Sequence, residues 1–250
     1  MSSQSSDRLM SIIESFLVDS QQSLSEVAFA CKLEPPTAMR YLRQLVERGW
    51  LERDESTKVY TLGVALVTIG DAAQAARPIL TRALPYMRQV LSSFDETVNI
   101  AMEHRGDVIV IESLESGRSI RRGATVGEVD GWFDSSLGKS ILAFMPEADV
   151  VHLFEQHPPV KTTEKTLLTR EAVLDDLAQI RQRGYALDDE ESEVGLMCVG
   201  APIWGAGNQV THAISVSGPT QRVRNRLDEI VGALQSAAAE ISLANKGVSS

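Results

Sequence analysis

Cysteine is scarce in this 250-residue chain: there are two, Cys31 and Cys198, far apart and without the paired spacing of a zinc site or a disulfide framework. That excludes a cysteine-stapled scaffold and fits a reducing compartment. Long apolar runs are missing as well. No stretch approaches the roughly 18 uninterrupted apolar residues of a membrane span, and residues 1–7 are polar and serine-rich instead of basic and then apolar. The expectation is a cytoplasmic protein, neither exported nor embedded in a membrane. Positive charge is in deficit: 24 Lys and Arg face 34 Asp and Glu, for a net charge of −10. This balance argues against a protein that coats nucleic acid regardless of sequence, because neutralising phosphates takes concentrated cations. The deficit is uneven, with seven basic and nine acidic residues up to position 62 but seventeen and twenty-five beyond it. There is no internal repeat and no low-complexity tract.

What remains is ordinary globular material, 43% hydrophobic and 23% charged. The length exceeds the ~100 to 150 residues of a usual domain, so two domains, one of them small, are expected. Neither composition nor spacing implies a cofactor or a metal.

Over residues 6–18, Leu9, Ile12, Ile13, Phe16 and Leu17 recur at the spacing of an amphipathic helix. Ser23 stands three residues before Glu26, a capping box that predicts a short second helix through Cys31. Pro35 and Pro36 suit only a first helical turn and Gly49 suits a left-handed stop, which sets a third helix over about residues 36–48. Two short β-prone runs, 50–53 and 58–62, flank the turn formers Asp54, Glu55, Ser56 and Thr57. They read as a hairpin wing. Residues 63–76 are alanine-rich and mildly amphipathic, a helical linker.

Helix patterns at 79–91, 137–144, 170–183 and 222–243 then alternate with strand patterns at 97–102, 108–114, 199–204 and 210–217. The last two strands join across Gly205, Ala206, Gly207 and Asn208 as a hairpin, so at least part of the sheet is antiparallel.

On a helical wheel the third helix puts Ala38, Met39, Leu42, Leu45 and Val46 inward. Thr37, Arg40, Tyr41, Gln44 and nearby Arg43 then face outward, a set able to bond phosphates and base edges in a major groove, with Lys58 on the wing beside them. A capped helix, a short turn, a second helix and a two-stranded wing follow the order of a winged helix-turn-helix that reads double-stranded DNA. One small acidic domain offers few phosphate contacts. A symmetric homo-oligomer, a dimer or a dimer of dimers, is therefore expected to read two half-sites of a palindromic operator.

Several blocks in order resemble the IclR (isocitrate lyase regulator) family of bacterial transcription factors, over nearly the whole chain. PPTAMRYLRQLVERGWLERDESTKVYTLG is similar to the family's reading helix and wing, although Pro-Pro-Thr replaces the commoner Lys-Ser-Thr. LGKSILAF at 137–144, RQRGYALDDEESEVGLMCVGAPI at 181–203 and HAISVSGP at 212–219 resemble its effector-domain signatures. The resemblance implies an α+β chain. Its parts are a winged helix-turn-helix over 1–62, a linker helix over 63–77, and a GAF-like effector-binding domain over 78–246 with a mainly antiparallel curved sheet. It also implies a pocket for a small metabolite with a carboxylate, at Ser136, Leu137, Asp188, Leu196, Cys198, Ser215 and Ser217. The backbone amides at Ser136 and Leu137 would serve the carboxylate. Ser215 and Ser217, two apart on a strand, share one face, with Ile214 and Val216 on the other. The sequence departs from the family where Gly131, Trp132, Phe133, Asp134 and Ser135 replace a small residue, His and Thr; the aromatics would line or narrow the cavity. A short oxo-acid, a sugar acid and an aromatic carboxylate all stay open as effectors, as do repression and activation.

Rival readings exist. Ser136 and Lys139 have the Ser-x-x-Lys spacing of one hydrolase class, but no Ser-Asp-Asn or Lys-Thr-Gly follows. Cys198 with His104, His152, His157 or His212 would make a thiol nucleophile, yet no spacing selects a pair. The acidic residues Asp188, Asp189, Glu190, Glu191 and Glu193 would suit a hard cation or, more simply, a solvated turn. Arg121 and Arg122 would meet an anionic ligand or a partner subunit. An adaptor whose wing grips protein is the third class. The reading adopted is a regulator, not an enzyme.

Overall fold

A computed structural model of the chain describes residues 4–75 and 78–246. It divides into two compact units, residues 1–77 and 78–250.

The first unit runs α1 (Gln4–Ser15), α2 (Leu24–Ala30), α3 (Pro35–Glu47), β1 (Leu51–Arg53), β2 (Tyr60–Leu62) and α4 (Val64–Ala75). Residues 76 and 77 of the expected linker lie outside the described residues. The first helix stops earlier than its apolar spacing predicts. The amides of Phe16, Leu17 and Val18 turn to the carbonyls three residues back, and Leu17 and Val18 end up exposed, so nothing inside holds a further turn. Both halves of the capping box form on α2: Ser23 Oγ accepts the Glu26 N–H, and Glu26 Oε2 accepts the Ser23 N–H at 2.7 Å. After α3, Gly49 takes the left-handed conformation at φ +71°. In the wing turn Asp54 Oδ1 accepts the Ser56 hydroxyl and the amides of Ser56 and Thr57, the amides at 2.7 and 3.0 Å; the hydroxyl first and then the amides hold its carboxyl down at about 2. The core comprises Ile12, Phe16, Val27, Tyr41, Leu42, Leu45, Leu51 and Tyr60.

The second unit is a six-stranded, wholly antiparallel sheet in the order β5-β4-β3-β8-β7-β6. Its strands are β3 (Thr97–His104), β4 (Asp107–Leu114), β5 (Val129–Asp130), β6 (Ala186–Asp189), β7 (Leu196–Trp204) and β8 (Val210–Pro219). The helices are α5 (Pro78–Phe94), α6 (Ser136–Leu142), α7 (Glu147–Gln156), α8 (Arg170–Arg183), α9 (Thr220–Asn225) and α10 (Leu227–Lys246). Side-chain alternation divides the sheet into two faces. Val98, Ile100, Val199, Ala201, Ile203, Ile214 and Val216 pack with residues of α5 and α10 in one cluster. Ala101, Val108, Val110 and Ala213 pack with α6 and α8 in the other. The β7–β8 hairpin forms across residues 205–209.

Three elements carried no clear periodic signal. β5 has two residues, β6 has four and sits at the sheet edge, and α7 has one buried side chain. The predicted last helix is split at Arg226, whose guanidinium lies 4.5 Å from the Phe94 ring centroid and donates to the Ser93 carbonyl. Pro85 does not end α5, because Ala83, Met87, Val90 and Phe94 continue its buried stripe.

Every residue of α6 is buried, and glycine permits this closeness. A Cβ on Gly200 of β7 would fall 2.3 Å from the Ser136 carbonyl oxygen, and one on Gly138 would fall 2.2 Å from that of Gly131. Both obstacles are backbone, so a methyl group on Gly200 forces helix and sheet apart, and one on Gly138 forces α6 from the loop that precedes it. Gly200→Ala is accordingly expected to cost about 1 to 3 kcal/mol by overpacking, read as a lowered denaturant midpoint at unchanged m-value. A midpoint equal to that of the parent would contradict this packing.

Candidate functional site

In the first unit α3 presents Arg40, Arg43 and Gln44 to solvent, with Thr37 half-buried at the start of the same face. Lys58 is exposed on the wing, its Nζ 2.9 Å from Glu55 Oε2. Tyr41 is a correction: it is 3% exposed and belongs to the core, not to the outward face. At about 100° per residue Tyr41 falls ~60° from Ala38 on the wheel and Met39 ~100° on the other side. Met39, expected inward, is accordingly 42% exposed. Tyr41 still touches the outward face indirectly, since the Arg40 guanidinium lies 5.0 Å from its ring centroid.

In the second unit all seven positions singled out for an effector, Ser136, Leu137, Asp188, Leu196, Cys198, Ser215 and Ser217, line one cavity of about 30 Å³. Each arrives by strand alternation or by the first turn of α6. Leu196 and Cys198 share a face of β7, and Ser215 and Ser217 share a face of β8. Gly200 opposes Ser215 in the ladder, Cys198 opposes Ser217, and Asp188 of β6 opposes Cys198.

The polar groups are unequally occupied. Ser217 Oγ accepts from Asn99 Nδ2 at 3.5 Å, and Asn99 Oδ1 accepts from Ser113 Oγ at 2.7 Å. Ser215 Oγ is buried and has no hydrogen-bond partner among the described residues. Asp188 anchors the β6–β7 turn, its Oδ1 accepting the amides of Glu191 and Ser192 at 2.8 and 3.2 Å. Burial pushes the Asp188 carboxyl above the usual range despite these bonds.

Asn99, Arg122, Glu128, Asp130, Ser135 and Ser192 also line the cavity. Of the two arginines the sequence offers to an anion, Arg122 lines the cavity, while Arg121 beside it turns away to Glu115 at 2.8 Å. The sequence pattern does not single out the others. Asp130 lies on the two-residue β5, which no periodicity reveals, and Asn99 reads as an ordinary strand position. Trp132 and Phe133 do not line the cavity as expected; they are buried in the cluster around α6 and α8, with Trp132 Nε1 donating to the Gly106 carbonyl at 2.9 Å.

The hydrolase arrangements do not assemble. Lys139 Nζ is 2.6 and 2.8 Å from the two Glu191 oxygens and 3.0 Å from Asp176 Oδ2, so its charge is committed to α8 and the β6–β7 turn. Burial raises the Glu191 carboxyl to about 7 even beside this ammonium. The Cys198 thiol is pushed well above its ordinary range by burial and stays protonated, a poor nucleophile. The acidic run is consumed internally: Glu190 pairs with Lys165 at 2.8 Å, and Asp189 pairs with Arg224.

Asp130 carries a consequence for pH. Burial is the main cause that raises its carboxyl from 3.8 to about 6. Between those values the folded chain holds a proton that the unfolded chain has lost, so stability falls as pH rises from about 4 to about 6. Asp130→Asn removes this slope and is expected to stabilise the protein at pH 7 by an amount on the order of 3 kcal/mol, seen in melting temperatures across pH. Parallel pH profiles for parent and variant would contradict the assignment.

Against known proteins, residues 5–55 match the IclR helix-turn-helix domain and residues 71–243 match the bacterial transcriptional regulator IclR C-terminal domain. The HTH-type transcriptional regulator BhcR of Paracoccus denitrificans is 32% identical over 94% of this chain and 85% of its own length. The transcriptional repressor IclR of Escherichia coli is 30% identical over 90% of this chain and 84% of its own. Among solved structures, the Thermotoga maritima IclR superposes with a TM-score of 0.80 at 27% identity, over 96% of this chain and 98% of that one. An IclR homologue from Microbacterium hydrocarbonoxydans, complexed with 4-hydroxybenzoate, superposes with a TM-score of 0.83 at 26% identity, over 94% and 96% of the two chains. Winged helix, antiparallel effector unit and whole-length matches agree: the chain belongs to the IclR family of ligand-responsive, helix-turn-helix transcriptional regulators.

Proposed function

We propose that the chain binds a palindromic operator as a homo-oligomer, with Arg40, Arg43, Gln44, Thr37 and the wing Lys58 touching DNA, and that a small acid in the second unit alters that binding. One observation carries the reading: α3 buries Ala38, Tyr41, Leu42 and Leu45 while leaving Arg40, Arg43 and Gln44 exposed on the other side. Phosphate contacts by the arginines and Lys58 would set register, and Arg40 and Gln44 have the donors and acceptors to read base edges. Residues 1–62 then form the DNA-binding domain, 63–77 the linker and 78–246 the sensor. The work is done in the cytoplasm and involves no catalysis. Among the described residues no helix is long and apolar enough to cross a membrane.

Self-association is supported by α4, where Val64 and Val67 are 67% and 60% exposed one helical turn apart. Two such faces packed together would remove this surface from water and double the phosphate contacts. The acid is supported by the cavity's hydroxyls and Arg122, and by the carboxylate in the Microbacterium relative's structure. A volume of about 30 Å³ favours a short acid over an aromatic one. Effector and operator would each change the other's affinity by the same factor.

Arg40→Ala is expected to weaken operator binding by about 1 to 3 kcal/mol in fluorescence anisotropy while leaving the melting temperature in place. Undiminished affinity would remove Arg40 from the reading surface. Val67→Asp is expected to shift sedimentation toward the monomer, and an unchanged distribution would exclude α4 as the contact.

A further inference from the structure

The cavity is more acidic than a simple anion would favour. Three lining side chains are carboxyls, Glu128, Asp130 and Asp188, against one cation, Arg122. Arg122 is already offset by acid, with Glu128 at 3.8 Å and Glu193 at 3.5 Å. Asp188 is engaged by the turn amides that it holds. Asp130 is different. Its Oδ1 accepts one backbone N–H, from Gly131 at 3.0 Å; the Ser135 hydroxyl and Arg122 favour its charge more weakly, and Asp134 opposes it. A carboxylate so placed is short of positive charge and of donors.

A second, independent feature points to a ligand. Ser215 is 1% exposed, lines the same cavity, and its hydroxyl has no partner among the described residues. A buried hydroxyl beside open volume asks for an atom to bond.

We propose that the cavity takes a small zwitterion, an amino acid whose ammonium faces Asp130 and whose carboxylate is met by the Ser215 hydroxyl. Asp130 is thereby the residue that sets specificity, selecting the amino acid over the oxo or hydroxy acid of the same skeleton. The charge sum agrees: the ammonium offsets Asp130, and the carboxylate no longer enters an acidic site uncompensated. This inference rests on the small-acid reading above and narrows it.

The test is isothermal titration calorimetry on the full chain at pH 7.5, with matched sets: glycine, alanine, serine and aspartate, each beside its 2-oxo and 2-hydroxy counterpart. At least one amino acid is expected to bind about tenfold or more tightly than both counterparts, the worth of one charge-assisted hydrogen bond. Asp130→Asn is expected to erase that ratio while the counterparts bind as before or better. Oxo or hydroxy acids that bind the parent protein as tightly as their amino partners in every set overturn the zwitterion and leave small-acid sensing standing. Failure of all four sets to bind overturns both. The ratio measured on the parent protein is decisive by itself, so a poorly folding variant does not rescue the proposal.

Discussion

The second unit depends on how closely α6 lies against the sheet. Seven consecutive residues of this helix are buried; its approach to the sheet exists because Gly200 has no side chain where the Ser136 carbonyl oxygen lies, and Gly138 likewise lets the preceding loop at Gly131 and Trp132 lie against the helix. Within that close contact Lys139 is 1% exposed, and an ammonium so deep is tolerable only because Glu191 and Asp176 meet it. Replacing such a network by apolar groups can be neutral for stability, whereas removing one partner strands a buried charge; the ions here tie α6 to α8 and to the β6–β7 turn. Ser136 and Leu137 on one side and Asp188 on the other are located by it.

That arrangement makes the cavity a product of three independent pieces of backbone. The β7 and β8 ladder places Cys198 against Ser217 and leaves bare Gly200 against Ser215. The short β5 brings Asp130 to the same space through its pairing with Val108. The first turn of α6, capped by Ser135 on the Gly138 amide, closes it. A change in any of the three alters the space available to a ligand, which is how a sensor couples occupancy to conformation.

In the first unit the corresponding constraint is the angular position of each residue on α3. The inward stripe is Ala38, Tyr41, Leu42 and Leu45, and its width decides what is left to meet DNA. Tyr41 is amphipathic, so a polarity-based wheel sends it outward; the core takes its ring because it lies closer to the stripe's centre than Met39 does. The polar outward positions that remain are the more flexible and charged ones, which suit a phosphate-lined groove.

The order of elements, the capping box at Ser23 and Glu26, the wing, the β7–β8 hairpin and the shared face of Ser215 and Ser217 were legible in the amino-acid sequence, because each depends on neighbours within a few residues. Family blocks extended this to the positions lining the cavity. Tertiary packing alone decided that Tyr41 faces inward, that Trp132 and Phe133 support α6 instead of lining the cavity, and that Asp130 and Asn99 join its wall. It also decided that Lys139 spends its charge on Glu191 and Asp176, residues 52 and 37 positions away. Local pattern sets which way a side chain points from its own helix or strand, but burial, charge compensation and cavity membership are set by what comes to lie opposite it, and that is a property of the assembled sheet.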